Sequence, residues 1–225
     1  MQKEHKNKNK SNVGRLLCAG VLALLLAAPG VRAAEPEAVL EGLRRAYEET
    51  ADLTARFVQT AYLVAAGLER EAQGRVALKK GGMMRWTYEG DDPQEIVSDG
   101  RTLWVHQVRD RTVLRQELAA VPEASRLALD LLSGFQGVEG HFDAASCGEL
   151  CLALTPRDAR PDLSRVLVEA APGGGEVRAV TTEDPLGNRT RVEFFDVRRN
   201  TGLGDEHFAF RPPEGAQVLD MPGGP

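Results

Sequence analysis

The chain has 225 residues, 42% hydrophobic and 27% charged, enough to bury a core as one large domain or two small ones and typical of a folded soluble protein. Of its 28 basic and 33 acidic residues, 6 and 1 lie in the first 33 positions, so the remainder carries 22 against 32, net −10. Charge of that sign gives by itself no drive toward nucleic acid or an anionic membrane surface, and nucleic acid is not expected as a partner.

Residues 1–33 have the layout of a cleaved secretory signal peptide. Lys3, Lys6, Lys8, Lys10 and Arg15 precede an uncharged apolar run from Leu16 to Ala28, Pro29-Gly30 breaks it, and small residues lead to cleavage before Ala34. The run is short for a membrane span, an uncleaved anchor being the alternative. Cys18 opens the run instead of following it, which does not fit a lipidation site. An exported protein is expected, with residues 34–225 as a single domain.

"PEAVLEGLRRAYEETA" then carries Val39, Leu40, Leu43, Ala46 and Tyr47 at helical spacing behind Pro36. The period next falls to two. "LTARFVQTAYLV" sets Leu53, Ala55, Phe57, Gln59 and Ala61 on one face, and "GRVALKK" sets Val76, Leu78 and Lys80 together. "MMRWTY" groups Met84, Trp86 and Tyr88 opposite Met83, Arg85 and Thr87. "QEIVSDGRTLWVHQ" reads as two strands around an Asp99-Gly100 turn. A second amphipathic helix is predicted in "PEASRLALDLLSGF", with Leu127 and Leu131 on its apolar stripe.

Strands resume in "LCLALTP", "RVLVEAA", "EVRAVTTE" and "RTRVEFFDVRR", with Gly173-Gly174-Gly175 as a hairpin loop. No solenoid repeat and no long linker divides them. The sum is about nine or ten antiparallel strands and two helices, a mainly β domain forming a barrel or strongly curved sheet. The helices have to bury their apolar stripes, and the mouth or concave side of the sheet offers the place.

Cys147 and Cys151, in "SCGELCLAL", are the two cysteines beyond the leader, and in an oxidising compartment they predict a disulfide across a tight turn. A metal site is not expected, since His106, His141 and His207 are scattered. No nucleophile, zinc or nucleotide motif stands in the sequence, and Asp91, Asp92 and Glu95 flank Pro93 as a solvated turn would. His106 alternates onto the polar or second face of its strand, where a lone histidine is expected to be a surface residue. No enzyme activity and no cofactor is expected.

The segments "LTARFVQTAY", "GRVALKKGGMMRWTY" and "PQEIVSDGRTLWVH", in that order, resemble the LolA family of periplasmic outer-membrane lipoprotein carriers. The pattern I-V-S-D-G-x-x-L-W is the more specific part. "DPLGNRTRVEFFDVRRNTGLGDEHFAFRPPEGAQVL" resembles the family's C-terminal half. The resemblance implies an incomplete, twisted antiparallel β-barrel (a half-barrel) under a helical lid, enclosing a hydrophobic cavity for acyl chains. Phe57, Val76, Leu78, Met84, Trp86, Tyr88 and Leu103 would line that cavity, and Leu40, Leu43, Leu127 and Leu131 would face it from the lid helices. A filled core would give the same alternation, and ordinary packing is the competing reading of Met84, Trp86 and Tyr88.

The resemblance also implies a lid latch. Aligning the tryptophans puts Lys80-Gly81 where the family has Arg-Pro, the arginine bonding lid backbone from inside the barrel. Lys80 has three donors and no planar fork, so a weaker latch is expected, against the alternative of a lysine extended into solvent. Gly81 in place of proline is expected to loosen the turn.

The implied function is a monomeric chaperone of the periplasm. It would take acylated lipoproteins from a Lol-type inner-membrane ABC transporter and pass them to an outer-membrane receptor. The alternatives are a carrier of another lipid on the same fold, a sensor of mislocalised lipoproteins, and an enzyme, for which no motif speaks.

Overall fold

In the computed structural model, which describes residues 36–121 and 138–221, the first element is the helix α1 (Pro36–Glu48). The predicted signal peptide and the second amphipathic helix, with Leu127 and Leu131, lie outside the described residues. Proline suits the first helical position because its missing N–H would find no partner there. Val39, Leu40 and Leu43 form the buried stripe. Thr50 closes the last turn, its Oγ1 donating to the Ala46 carbonyl at 2.6 Å.

Twelve strands follow among the described residues: β1 (Asp52–Leu63), β2 (Leu68–Lys79), β3 (Met83–Glu89), β4 (Gln94–Asp99), β5 (Thr102–Gln107), β6 (Thr112–Glu117), β7 (Phe142–Gly148), β8 (Cys151–Pro156), β9 (Arg165–Ala170), β10 (Val177–Glu183), β11 (Arg189–Arg199) and β12 (Gln217–Asp220). They form one sheet in the order β12-β6-β5-β4-β3-β2-β1-β11-β10-β9-β8-β7. The edge strands β12 and β7 do not pair with each other, so the barrel is incomplete. The expected hairpin turns at Asp99-Gly100 and at the triple glycine are both present. At the first, the Asp99 carboxylate accepts from the N–H groups of Arg101 and Thr102.

The strand count corrects the sequence expectation. β6, β7 and β12 are additional strands, and β12 runs parallel to β6 instead of antiparallel. β7 escapes a periodicity argument because only Phe142 on it is buried, and all of β12 is exposed.

One face of the sheet, here the inner face, carries two apolar clusters. On β8–β10, Leu152, Leu154, Val166, Val168 and Val180 pack against Val39, Leu40 and Leu43 of α1. On β1–β3 a second cluster centres on Phe57, Met84 and Trp86. Phe194 of β11 touches both. A bulge in β11 sets up this junction, because two residues of β11, Asp196 and Val197, face Ala55 alone between the pairs Thr54–Arg198 and Arg56–Phe195. Asp196 takes a φ of 52°, and Phe194 and Val197 both reach the inner cluster although they are three positions apart, an odd spacing that would set them on opposite faces of a regular strand.

The corner between α1 and β1 is tied to the end of β11. The Asn200 side chain accepts from the Ala51 N–H at 2.7 Å and donates to the Glu49 carbonyl at 3.0 Å. The Asp52 carboxylate accepts from the Thr201 hydroxyl and from the N–H groups of Thr201, Gly202 and Leu203. Burial pushes this carboxyl up, but those four bonds, the Thr201 hydroxyl first among them, outweigh burial and hold it below the usual carboxylate range.

From there the chain crosses the outer face of the sheet. Lys79 donates to the Leu203 carbonyl and pairs with Asp205. Arg85 donates to the carbonyls of His207 and Ala209 while pairing with Glu95. Phe208 of this segment is fully buried, as are Val97 and Val113 of the sheet. His106 belongs to the same layer, 8% exposed and 5.9 Å from the Phe210 ring. It is therefore buried, contrary to the expectation of a surface residue. Its strand has two covered faces, and the cover comes from about a hundred residues further along the chain.

Candidate functional site

Strand register assembles the inner-face cluster in three rows. Leu53, Leu78, Met84, Ser98 and Leu103 stand opposite one another on β1 to β5, forming the row nearest the end of α1. Ala55, Val76, Trp86 and Ile96 form the next, and Phe57, Gly74, Tyr88 and Gln94 the third. Successive rows are separated by two residues of strand, roughly 7 Å. All seven residues named for a cavity from the sequence (Phe57, Val76, Leu78, Met84, Trp86, Tyr88 and Leu103) thus share one face. Sequence reasoning missed Ile96, Val192, Phe194 and Val197 as members. The alternation of Val192 and Phe194 in "RVEFF" was the available signal, whereas Val197 depends on the bulge.

Phe57 is the hub. Its ring meets Trp86 edge-on at 4.9 Å and Tyr88 at 5.0 Å between centroids, the arrangement that the ring quadrupoles favour. Gly74 makes the room, because a Cβ there would run into the Thr87 carbonyl oxygen and approach the Phe57 ring to 2.9 Å. Tyr88 donates its hydroxyl to the Gln59 side-chain oxygen at 2.9 Å, and burial pushes its phenol up from the ordinary tyrosine value. Met84 is 4% exposed, between Leu78 and Ser98.

Between the last turn of α1 and this face lies a small apolar cavity of about 70 Å³. Leu43, Tyr47, Leu53, Leu78, Phe194 and Val197 are among its walls. It has room for a few heavy atoms.

Lys80 sits at the rim, just past the end of β2. Its Nζ donates to the Glu48 carbonyl at 2.7 Å and lies 5.5 Å from the centroid of the Tyr47 ring. A lysine there meets the free carbonyls and negative dipole end of the helix. The following Gly81 and Gly82 take φ of 90° and 76°. Proline, fixed near −65°, cannot adopt the first of these, so this turn has a backbone path of its own.

Leu40 and Leu43 lie in the β8–β10 cluster under α1 and not among the β1–β3 aromatics, so α1 covers one half of the inner face. The Sγ atoms of Cys147 and Cys151 are bonded across the β7–β8 turn, at the edge of the sheet and away from the cluster. Among the described residues no group of three or more His, Cys, Asp or Glu could hold a metal ion, and no helix is long and apolar enough to cross a membrane.

Residues 48–211 match the family described as outer membrane lipoprotein carrier protein LolA. An outer-membrane lipoprotein carrier protein of Halorhodospira halophila is 32% identical over 204 residues, spanning 89% of this chain and 92% of the relative. One from Alkalilimnicola ehrlichii is 32% identical over 193 residues, spanning 85% and 88%. Among solved structures, an uncharacterized conserved protein from Thermus thermophilus superposes with a TM-score of 0.50 at 12% identity. It covers 82% of this chain and 98% of its own, a likeness of fold alone.

Proposed function

The chain belongs to the LolA family of outer-membrane lipoprotein carriers, and from that premise we propose that it ferries acylated lipoproteins across the periplasm, sheltering their acyl chains against the inner face of its sheet. The observation that carries the reading is the inner-face cluster itself. It is apolar and aromatic, runs in three rows across β1 to β5, and lies beside a helix whose last turn is held to the rim by a lysine. Loading from an inner-membrane ABC transporter and delivery to an outer-membrane receptor complete the proposal, with the carrier acting as a monomer and performing no chemical step.

Affinity has to be limited for such a carrier to release. Burying an acyl chain gains about 0.8 kcal/mol per methylene, so two or three chains represent a very large gross gain. The empty protein already buries the same face, with Phe57 at 1% and Trp86 at 7% exposure. Cargo therefore replaces protein–protein contacts instead of water, and net affinity is a difference between two buried states. Met84, with a flexible thioether, suits a wall that must fit chains of differing length, and Phe57, Trp86 and Tyr88 are the rigid part.

Native mass spectrometry of the protein recovered from a Gram-negative periplasm tests this. A bound triacylated polypeptide is the expected outcome. Free lipid alone would favour a carrier of another lipid, and an empty protein under lipoprotein overproduction would contradict the proposal.

A further inference from the structure

The cluster holds a polar group that the described fold leaves unserved. Trp86 is 7% exposed, and its Nε1 is buried with no hydrogen-bond partner among the described residues. Neighbouring polar groups on the same face are satisfied internally: the Tyr88 hydroxyl donates to Gln59, and the Ser98 Oγ accepts from the Gly100 N–H. Phenylalanine would fill an apolar wall without this liability, since an indole N–H is a donor only and is disfavoured when buried unpaired.

We propose that Trp86 Nε1 is the recognition donor for the carbonyl oxygen of an ester-linked acyl chain on the cargo. The inference rests on the carrier reading above and adds to it the part of the ligand that is read. A ligand for a broad apolar face with an isolated donor is apolar along its length and carries an acceptor at one point. A saturated hydrocarbon lacks the acceptor, and a phosphate or carboxylate would bring net charge against Phe57, Ile96 and Phe194, none of which can compensate it. The placement also fits. Trp86 stands one row, roughly 7 Å of strand, in from the Leu78–Met84 row, beyond which lies Lys80 at the rim, so the residue that carries the donor is set inside the face and not at its mouth. Cargo entry then satisfies a donor that the empty state strands, which favours loaded over empty without adding apolar area.

The test compares two synthetic double-chain lipopeptides of equal chain length, one carrying ester-linked acyl chains and one carrying ether-linked alkyl chains, on the full chain and on Trp86→Phe. The wild type is expected to bind the ester form about fivefold more tightly, the effect of one net hydrogen bond. Trp86→Phe is expected to bind both alike. Equal binding of the two lipopeptides by the wild type, or an ester preference surviving in Trp86→Phe, would overturn the inference while leaving the carrier reading standing. Failure of the wild type to bind either lipopeptide would overturn the carrier reading itself. Should Trp86→Phe not fold, benzothienylalanine at position 86 keeps the bicyclic shape without the N–H and has to lose the preference in the same way. In the wild type the indole ¹H resonance of Trp86 is expected to move downfield with the ester ligand only, and a shift common to both ligands would count against the assignment.

Discussion

Lys80 donates its ammonium to the main-chain carbonyl of Glu48, so the rim of the sheet holds the last turn of α1 through a 2.7 Å hydrogen bond. The bond uses one of three ammonium donors, and the Tyr47 ring beside it adds a cation–π contact. A helix held this way is pinned at its C-terminal end while Val39, Leu40 and Leu43 anchor its other turns to β8–β10.

Lys80→Leu is expected to speed hydrogen exchange of the amides of residues 37–48 by a factor of a few, and Lys80→Arg to slow it or leave it unchanged. Exchange alike in all three proteins would show that Lys80 does not restrain α1.

Asp52 makes the neighbouring corner pH-sensitive. Its folded pKa is depressed, so its contribution is complete above the ordinary carboxylate range, about pH 4, and is lost as pH falls through the folded value. Asp52→Asn should cost about 1–3 kcal/mol at neutral pH, a gap that narrows in strong acid once the native carboxyl is protonated. Urea denaturation of both proteins across pH checks this, and a gap independent of pH would contradict it.

Gly74 is the narrowest point of the cluster. Gly74→Ala drives a methyl into the Thr87 carbonyl oxygen and the Phe57 ring, and backbone on one side cannot yield cheaply. A loss of about 1–3 kcal/mol in chemical denaturation is expected, along with a changed near-ultraviolet dichroism from Phe57, Trp86 and Tyr88. A neutral substitution would mean the three rings are not packed as described.

The disulfide is expected to act locally. Cys147 and Cys151 are four residues apart, so the loop they close is short and its removal should cost about 2 kcal/mol or less. The Cys147→Ser, Cys151→Ser double variant should show faster amide exchange in β7 and unchanged lipopeptide binding. Weakened binding would tie this edge of the sheet to the site.

Much of the site's inner face was legible because strand alternation is local. Met84, Trp86 and Tyr88 share a side by spacing alone, as do Val76 and Leu78, and the Asp99-Gly100 turn joins β4 to β5. What was not legible is non-local or breaks the period. Strict alternation from Val192 and Phe194 would turn Asp196 inward, and the bulge substitutes Val197. The cover over His106 consists of a segment without periodicity, held by Lys79 and Arg85 through its main-chain carbonyls. Lys80 could be assigned to a face from the sequence, but its partner, a helix carbonyl 32 residues away, follows from the fold.

The central claim is that cargo acyl chains occupy the inner face, and the chain's two tryptophans offer the most direct measurement. Trp86 lies on that face, whereas Trp104 lies on the other, 6.0 Å from the Phe210 ring. Trp104→Phe and Trp86→Phe each leave one reporter, to be titrated with a lipopeptide whose acyl chains carry bromine, a contact quencher of indole fluorescence. Quenching of Trp86 with Trp104 unaffected is the predicted result. Quenching of Trp104, or binding that quenches neither, would contradict it.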